Sequence, residues 1–508
     1  MPLTYPNLTL IPIPGAIPAW KGLIEPEQLL PVCLKVAEGG GRLVALWGSD
    51  ERQNAGGFAL QVALVTEAGL ICLCVALEEA QPVYPNLSLI FPAALRMQRA
   101  AQDLLGIVAT DSPDKRKWLR HGAWHGFPLR KDYAVAPIDE ADAYPFVRVE
   151  GNGVHEIPVG PVHAGTIEPG HFRFSIVGER VLRLEERLGY THKGIEKRFE
   201  QLSLQQGAKL AGRIAGDSSV AYAWAYAMAA ESIAQLTPSA HSLWLRALLL
   251  ERERIANHLG DLGYLGNDVA FTFGFSQFWI LKEQLLRNNA AVFGHRYLMD
   301  LIIPGGVAVE LSKSSILYDE CTLLEKQVKL LRGIYEEHAG MQDRFIGAGL
   351  VAPKLAAQLG LCGMAGRASA QAWDARVQFA CAPYDQLDVQ MATHRNGDVA
   401  ARVIVRFDEL FESLRLQREI LNHLTTGSTV PLLKLPGNGF GIGMVEGWRG
   451  EILVAIHTDR EGNVARVHPH DPSWQNWPVL EHAVLDNIVP DFPLINKSFN
   501  LSYTGQDL

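Results

Sequence analysis

An α+β fold is expected: a small N-terminal α+β domain over residues 1–150, then a larger, mainly helical domain over 151–508 that carries small β elements. Three observations lead there. Short apolar runs separated by Gly-rich turns, with one helical segment behind them, fill the first part of the chain. Long helical patterns at 311–337 and 408–424 dominate the second part. A Gly-rich passage from Gly437 to Asn463 then leads into strands near 451–457 and 464–468. With 508 residues, 48% of them hydrophobic and 20% charged, the chain is too long for a single core and has ordinary globular composition.

Taken in order, residues 1 to about 30 carry Pro2, Pro6, Pro12, Pro14, Pro18 and Pro26, too many for a helix or a central strand, and read as an extended arm. Residues 42–49, 57–66 and 69–77 read as short strands. Phe91 to Leu105 reads as a helix, with Pro92 in its first turn where a missing N–H costs nothing. Further on, His171–Val177 and Arg180–Glu185 flank Gly178-Glu179 as a hairpin, framed by the polar loops Gly160–Gly170 and Tyr190–Lys197. The stretch Arg213–Glu231 follows. Asp217 and Ser218 offer oxygens that cap a helix start. From Val220 to Ala230 every residue is apolar or aromatic, which leaves no face for water and predicts a helix buried all round. Plain core accounts for that pattern; the polar entry Arg213–Ser219 points instead to a site.

Composition excludes several function classes. A net charge of −9 and the lack of any long Lys/Arg run argue against a nucleic-acid partner. The six cysteines, Cys33, Cys72, Cys74, Cys321, Cys362 and Cys381, form no Cys-x-x-Cys pair and read as reduced core thiols of a cytosolic protein. The start Met1-Pro-Leu-Thr-Tyr-Pro6 lacks signal-peptide features, and no apolar run of about 18 residues can span a bilayer, so membrane association is expected only through partners. There is no Gly-x-Gly-x-x-Gly after a strand, no phosphate loop, no Ser/His/Asp order and no internal repeat.

Tyr84 to Ile107, and above all Gly126-Phe-Pro-Leu-Arg-Lys-Asp-Tyr133, resemble the 30-kDa-type (C) subunit of respiratory complex I. That resemblance implies a docking role for the first domain; a solvated loop at Arg130-Lys131-Asp132 is the alternative. From Gly160 onward the chain resembles the 49-kDa-type (D) subunit. More closely, it resembles the large subunits of membrane-bound, formate-hydrogenlyase-like [NiFe] hydrogenases, which share the fused C-then-D order. The carriers are Leu250-Glu-Arg-Glu-Arg-Ile-Ala-Asn-His-Leu-Gly-Asp261, Pro304-Gly-Gly306, Gly397-Asp398 with Arg402 and Arg406, Glu446-Gly-Trp-Arg-Gly-Glu451, Asn476-Trp-Pro478 and Asp491–Ser498.

By that resemblance a nickel–iron centre would take four thiolates, and the matching positions hold Ala215, Ser218, Ser502 and Gly505. These supply no soft donor, so no metal is expected. The quinone-holding His and Tyr of complex I match Ile167 and Gly216, so that recognition pair is missing too. Glu168 matches the proton-passing position of hydrogenases, where an apolar setting would raise its pKa; capping the Pro169-Gly170 turn is the alternative. His192 and Glu196, four apart, imply a metal-surround motif or a simple helix pair. Arg254, His258 and Asp261 lie at i, i+4 and i+7 of one helix stripe, a proton path or a packing network. Arg449 matches the arginine over the hydrogenase site, with a loop ion pair to Glu446 or Glu451 as the alternative. Asp217 completes the candidate set.

The expected role is the large-subunit position of a complex I-like oxidoreductase assembly at the cytoplasmic face. The implied partners are a small subunit that carries an iron–sulfur cluster, a ferredoxin-like subunit and membrane antiporter-like subunits. This chain is expected to bind no cofactor itself and to lack hydrogenase activity. Two readings of its role stand: an oxidoreductase subunit coupling electron transfer to proton or ion movement, with an altered acceptor, or a catalytically silent scaffold. An independent small-molecule enzyme is a third.

Overall fold

The computed structural model describes all residues except 1–3, 7, 54–56, 123, 136–142, 165–166, 312–313, 425–426, 428–429 and 432. Pro2 of the arm and Gly165-Thr166 of the first polar loop therefore lie outside the described residues. The first domain is a five-stranded sheet in the order Leu10–Pro12, Ala19–Ile24, Gly69–Leu77, Phe58–Thr66, Arg42–Asp50. The arm is extended as far as Ile24 and adds two adjacent strands on one side of the sheet. It then departs from expectation: Pro26–Glu38 is a helix. Pro26 sits in its first turn, where no N–H is needed, and Glu25 and Gln28 form a reciprocal capping box. The helix expected from Phe91 starts at Ala94 and runs to Leu105.

The other three strands are apolar on both faces because both are covered. Leu43, Leu46, Leu60 and Leu73 pack under the two helices. Val44, Trp47, Ala63 and Cys72 pack instead against the second domain. Trp47 stacks on His468 at 4.7 Å between ring centroids, so the two domains share a dry interface.

The second domain holds two three-stranded antiparallel sheets and a helical bundle. The expected hairpin forms, His171–Val177 with Arg180–Arg187, and Val154–Val159 adds a third strand that its exposed, mixed sequence did not announce. The other sheet is Phe440–Glu446, Glu451–Thr458 and Val464–His470. Across it lies the buried helix, Ser219–Ala234. Contact is close because the strand offers glycines: a Cβ on Gly441 would meet the Ala229 carbonyl oxygen at 2.2 Å, and one on Gly443 the Ala225 oxygen at 2.1 Å. Alanines every fourth residue on the helix and glycines every second on the strand are thus one packing device.

The bundle comprises Ala240–Asp268, Thr272–Phe293, Ser314–Glu337 and Val399–His423. The last starts well before the expected residue 408: Asp398 accepts from the Ala401 N–H at 2.8 Å as its N-cap. At the C-terminus, Phe492–Phe499 and Tyr503–Asp507 fold back under the second polar loop, where the Lys193 N–H donates to the Leu508 carbonyl at 2.8 Å. All six cysteines are free. Burial pushes the thiols of Cys33, Cys72 and Cys381 up to about 12, which keeps them unreactive.

Candidate functional site

The site gathers at the entry of the buried helix. Contrary to the local capping signal, neither Asp217 nor Ser218 caps it by side chain. Glu253 of the long helix Ala240–Asp268 does so from outside, accepting from the Val220 N–H at 2.6 Å and the Ala221 N–H at 3.2 Å. Asp217 is thereby free to face Arg449, whose Nη1 donates to its Oδ1 at 2.9 Å while Nη2 holds Oδ2. Arg449 also donates to the Asn500 carbonyl and lies 4.0 Å over the Trp448 ring. The expected ion pair of Arg449 with Glu446 or Glu451 is not made; those two turn into the core. Burial pushes the Asp217 carboxyl up, but the Arg449 guanidinium outweighs it and holds the group below the usual range.

The four positions matched to thiolates come together around this pair. The Ala215 methyl and Ser218 are buried, and Arg449 Nη1 reaches Ser218 Oγ at 3.4 Å. On the opposite wall, Ser502 Oγ accepts from the Gly505 N–H at 2.9 Å. Between the walls stands Asp471, buried, with its Oδ2 accepting from Tyr222 OH at 2.8 Å and its Oδ1 from the Ser473 N–H at 2.8 Å. A Cβ on Gly505 would lie 2.4 Å from Asp471 Oδ2. Carboxylate and side chain exclude each other there.

The Arg254, His258 and Asp261 stripe faces the helix Val399–His423 and opens a buried ionic network. Asp261 accepts from Arg406 Nε at 3.2 Å and Asn500 Nδ2 at 2.8 Å. The His258 ring N–H donates to Glu409 at 2.9 Å, and Arg367 bonds Glu409 at 2.8 Å and Glu446 at 2.7 Å. Arg376 continues it, pairing Asp374 at 2.7 Å and Glu251 at 3.1 Å. Burial would raise Glu409, yet Arg367 and His258 hold it well below its ordinary value. Burial keeps His258 below its own, hence neutral. Glu446 goes the other way: burial, with Asp374 and Glu451 adding like charge, lifts it to about 7 against Arg367.

Three expected placements need correction. His192 precedes the short helix Ile195–Phe199 and does not pair with Glu196. It bonds the Asp507 carbonyl at 2.8 Å and braces the C-terminal segment. Glu196 turns to the first domain's interface, where His468 and Arg466 each approach it at 2.7 Å and, outweighing burial, lower it to about 2. Glu168 sits in an exposed loop rather than an apolar setting, and its Oε2 accepts from the Thr504 N–H at 3.1 Å, next to the Ser502–Gly505 wall. Ile167 and Gly216 are exposed at the same rim.

Sequence reasoning missed Asp471, Glu253 and the Arg367–Glu446 pair. Each acts on a partner far along the chain, so local periodicity carried no signal for them.

The description "Respiratory-chain NADH dehydrogenase, 49 Kd subunit" matches residues 268–435, and the corresponding "30 Kd subunit" matches residues 23–138. Formate hydrogenlyase subunit 5 of Escherichia coli K12 is 29% identical over 487 residues, covering 92% of this chain and 85% of its own length. Hydrogenase-4 component G of the same organism is 30% identical over 482 residues, covering 92% and 84%. The membrane-bound sulfane sulfur reductase, an archaeal respiratory membrane complex, includes a chain with a TM-score of 0.66 and 24% identity, covering 70% of this chain and 99% of its own: a likeness of fold. Fold and matches define a fused 30-kDa/49-kDa-type chain of the complex I class. More particularly, the chain belongs to the family of large subunits that includes formate hydrogenlyase subunit 5 and hydrogenase-4 component G. Its relatives are parts of membrane complexes, and no helix among its described residues is long and apolar enough to cross a membrane.

Proposed function

We propose that the chain is a large subunit without a nickel–iron centre, in which the former metal position handles protons and relays a redox event in a partner to an ion-moving membrane part. The residues present do not fit the metal: Ala215 and Gly505 offer no donor, Ser502 is spent on a backbone N–H, and Asp471 fills the space a side chain at 505 would need. The observation that carries the reading is the ionic run that starts at the part-exposed Asp217 and continues, buried, from Arg449 through Asp261–Arg406 to Glu409–His258–Arg367–Glu446. Each buried ion costs several kcal/mol to desolvate, and apolar packing would be cheaper for a mere support. Groups displaced in opposite directions within one network are what proton coupling uses.

The names of the relatives support attachment to a membrane complex; the family resemblance further implies the cytoplasmic face, beside a small subunit with an iron–sulfur cluster, a ferredoxin-like subunit and antiporter-like membrane subunits. This chain would bind no cofactor of its own. One observation favours the scaffold reading instead, since Arg449 and Asp471 close the metal position to any substrate. The test uses membrane vesicles with the assembled complex, reduced by methyl viologen and followed by a pH-indicator dye. Asp217→Asn is expected to lower redox-linked proton uptake at least tenfold with subunit content unchanged. Equal uptake in variant and wild type would establish the scaffold.

A further inference from the structure

We propose that the cavity beside the entry of the buried helix is a water-filled proton port in which Glu253 exchanges protons between solvent and the Asp217–Arg449 pair, an inference that rests on the proton-handling reading above. The cavity measures about 310 Å³ and is lined by Gly216, Asp217, Glu253, Asn257 and Lys282, with Leu286 among its apolar walls. That volume holds several waters, and the polar groups give them partners. Gly216 and Tyr297, both exposed, stand at its mouth, and a Cβ added at Gly216 would meet no atom within 4 Å. Asn257, one turn after Glu253, ties both ends together: its Nδ2 donates to the Asp217 carbonyl at 2.7 Å and to the Glu253 carbonyl at 2.9 Å.

Glu253 differs from the carboxylates around it. Asp217, Glu251, Asp374 and Glu409 each face an arginine that keeps them ionised. The Glu253 carboxylate accepts only from backbone N–H groups among the hydrogen bonds of the described residues. The charged groups around it are Asp217 before the buried helix, Arg254 on its own helix, and, across the cavity, Lys282 and Arg296, the latter paired with Glu283 at 2.6 Å. Arg254 is turned to the Glu446 and Gly447 carbonyls, and Arg449 is committed to Asp217. Burial pushes Glu253 up to about 8, opposed by the Val220 and Ala221 N–H groups and reinforced by the Asp217 charge. In the step itself, a hydronium arriving from solvent through the cavity gives its proton to a carboxylate oxygen of Glu253, leaving water and a neutral acid. A second water on the Asp217 side then takes that proton, becoming hydronium beside the Asp217 carboxylate, and restores the Glu253 carboxylate. Nothing is oxidised or reduced.

The test is infrared difference spectroscopy on the assembled complex in light and heavy water, with dye-detected proton uptake on reduction by methyl viologen. A protonated-carboxyl band with a midpoint near 8 is expected in the wild type and absent in Glu253→Gln. Uptake should fall about tenfold in that variant. Gly216→Leu should narrow the mouth and slow the band's deuterium exchange without touching Glu253. A band that persists in Glu253→Gln, or unchanged uptake there, overturns the port. Should Glu253→Gln fail to assemble, unchanged exchange in Gly216→Leu overturns it. Lost uptake in Asp217→Asn with normal uptake in Glu253→Gln removes only the port; normal uptake in both removes the proton-handling reading as well.

Discussion

Gly505→Ala adds a single methyl at the wall where the family resemblance would place a thiolate. The new carbon would stand 2.4 Å from Asp471 Oδ2, 2.7 Å from its Cγ and 2.8 Å from Ser502 Oγ. Asp471 cannot yield freely, because Tyr222 OH and the Ser473 N–H hold its two oxygens. Overpacking of this kind costs about 1–3 kcal/mol. Losing the Tyr222 hydrogen bond in a buried site adds about 1–3 kcal/mol. The sum, about 2–6 kcal/mol, is a large part of an ordinary stability of about 5–15 kcal/mol. With an unfolding entropy of about 2.1 cal/mol/K per residue, a domain of roughly 360 residues loses about 3–8 °C of Tm. Thermal unfolding of the purified complex, followed by tryptophan emission, measures it. In an Asp471→Ala background the same methyl should cost much less, a coupling of about 1–3 kcal/mol. An unshifted Tm in Gly505→Ala, or an equal drop in both backgrounds, would refute the claim that Asp471 occupies the ligand position.

Elemental analysis of the assembled complex should find far less than one nickel per chain, because no thiolate supplies the affinity; stoichiometric nickel with hydrogen uptake would sink the nickel-free reading. Stability should peak near pH 5. Glu253 at about 8, Glu446 at about 7 and Asp507 at about 6 keep protons in the folded state that the unfolded chain has already lost, so stability falls as pH rises from about 5 to 8. Glu196 and Asp374, held near 2, act oppositely, and their contribution is lost as pH falls below about 4. Denaturant midpoints across pH check both arms, and a flat profile above pH 5 contradicts the first. Glu168→Gln keeps an acceptor for the Thr504 N–H but removes the exchangeable proton. Redox-linked proton uptake should fall about a hundredfold at constant subunit content, and full uptake would take Glu168 out of the relay.

What the sequence revealed was what local pattern encodes. The unbroken apolar run from Val220 to Ala230 announced a helix with no wet face, and its alanines sit on Gly441 and Gly443. The hairpin at Gly178 and the sheet strands followed from alternation and turn residues. Local rules misled where two of them compete. Pro26 counted against a helix, yet at a first turn it starts one. The helix expected to begin near 408 begins at Val399, and Arg402 and Arg406, which carried only the family resemblance, are buried inside it with Glu409. Asp217 carried a capping signal that a distant partner overrode, since Arg449 lies 232 positions away and Glu253 took the cap. Asp471 was not legible at all: its partners, Tyr222 and Gly505, meet it only in three dimensions.

Arginine sets which groups in this interior can respond to a redox event. A guanidinium stays charged at any working pH, so Asp217, Asp374 and Glu409, paired with Arg449, Arg376 and Arg367, behave as fixed charges. The carboxylates that burial lifts, Glu253 foremost and Glu446 with it, change charge near neutrality. In a medium of effective dielectric about 20, a unit charge gained or lost several ångströms away shifts a neighbour by on the order of 2 kcal/mol, more than tenfold in a protonation equilibrium. An electron arriving on a group in an adjoining subunit would act on Glu253 through the same field, and Glu253 would act in turn on the Asp217–Arg449 pair. Coupling of this kind needs a dry, charged interior and one unpinned carboxylate. It does not need thiolates at Ala215, Ser218, Ser502 and Gly505.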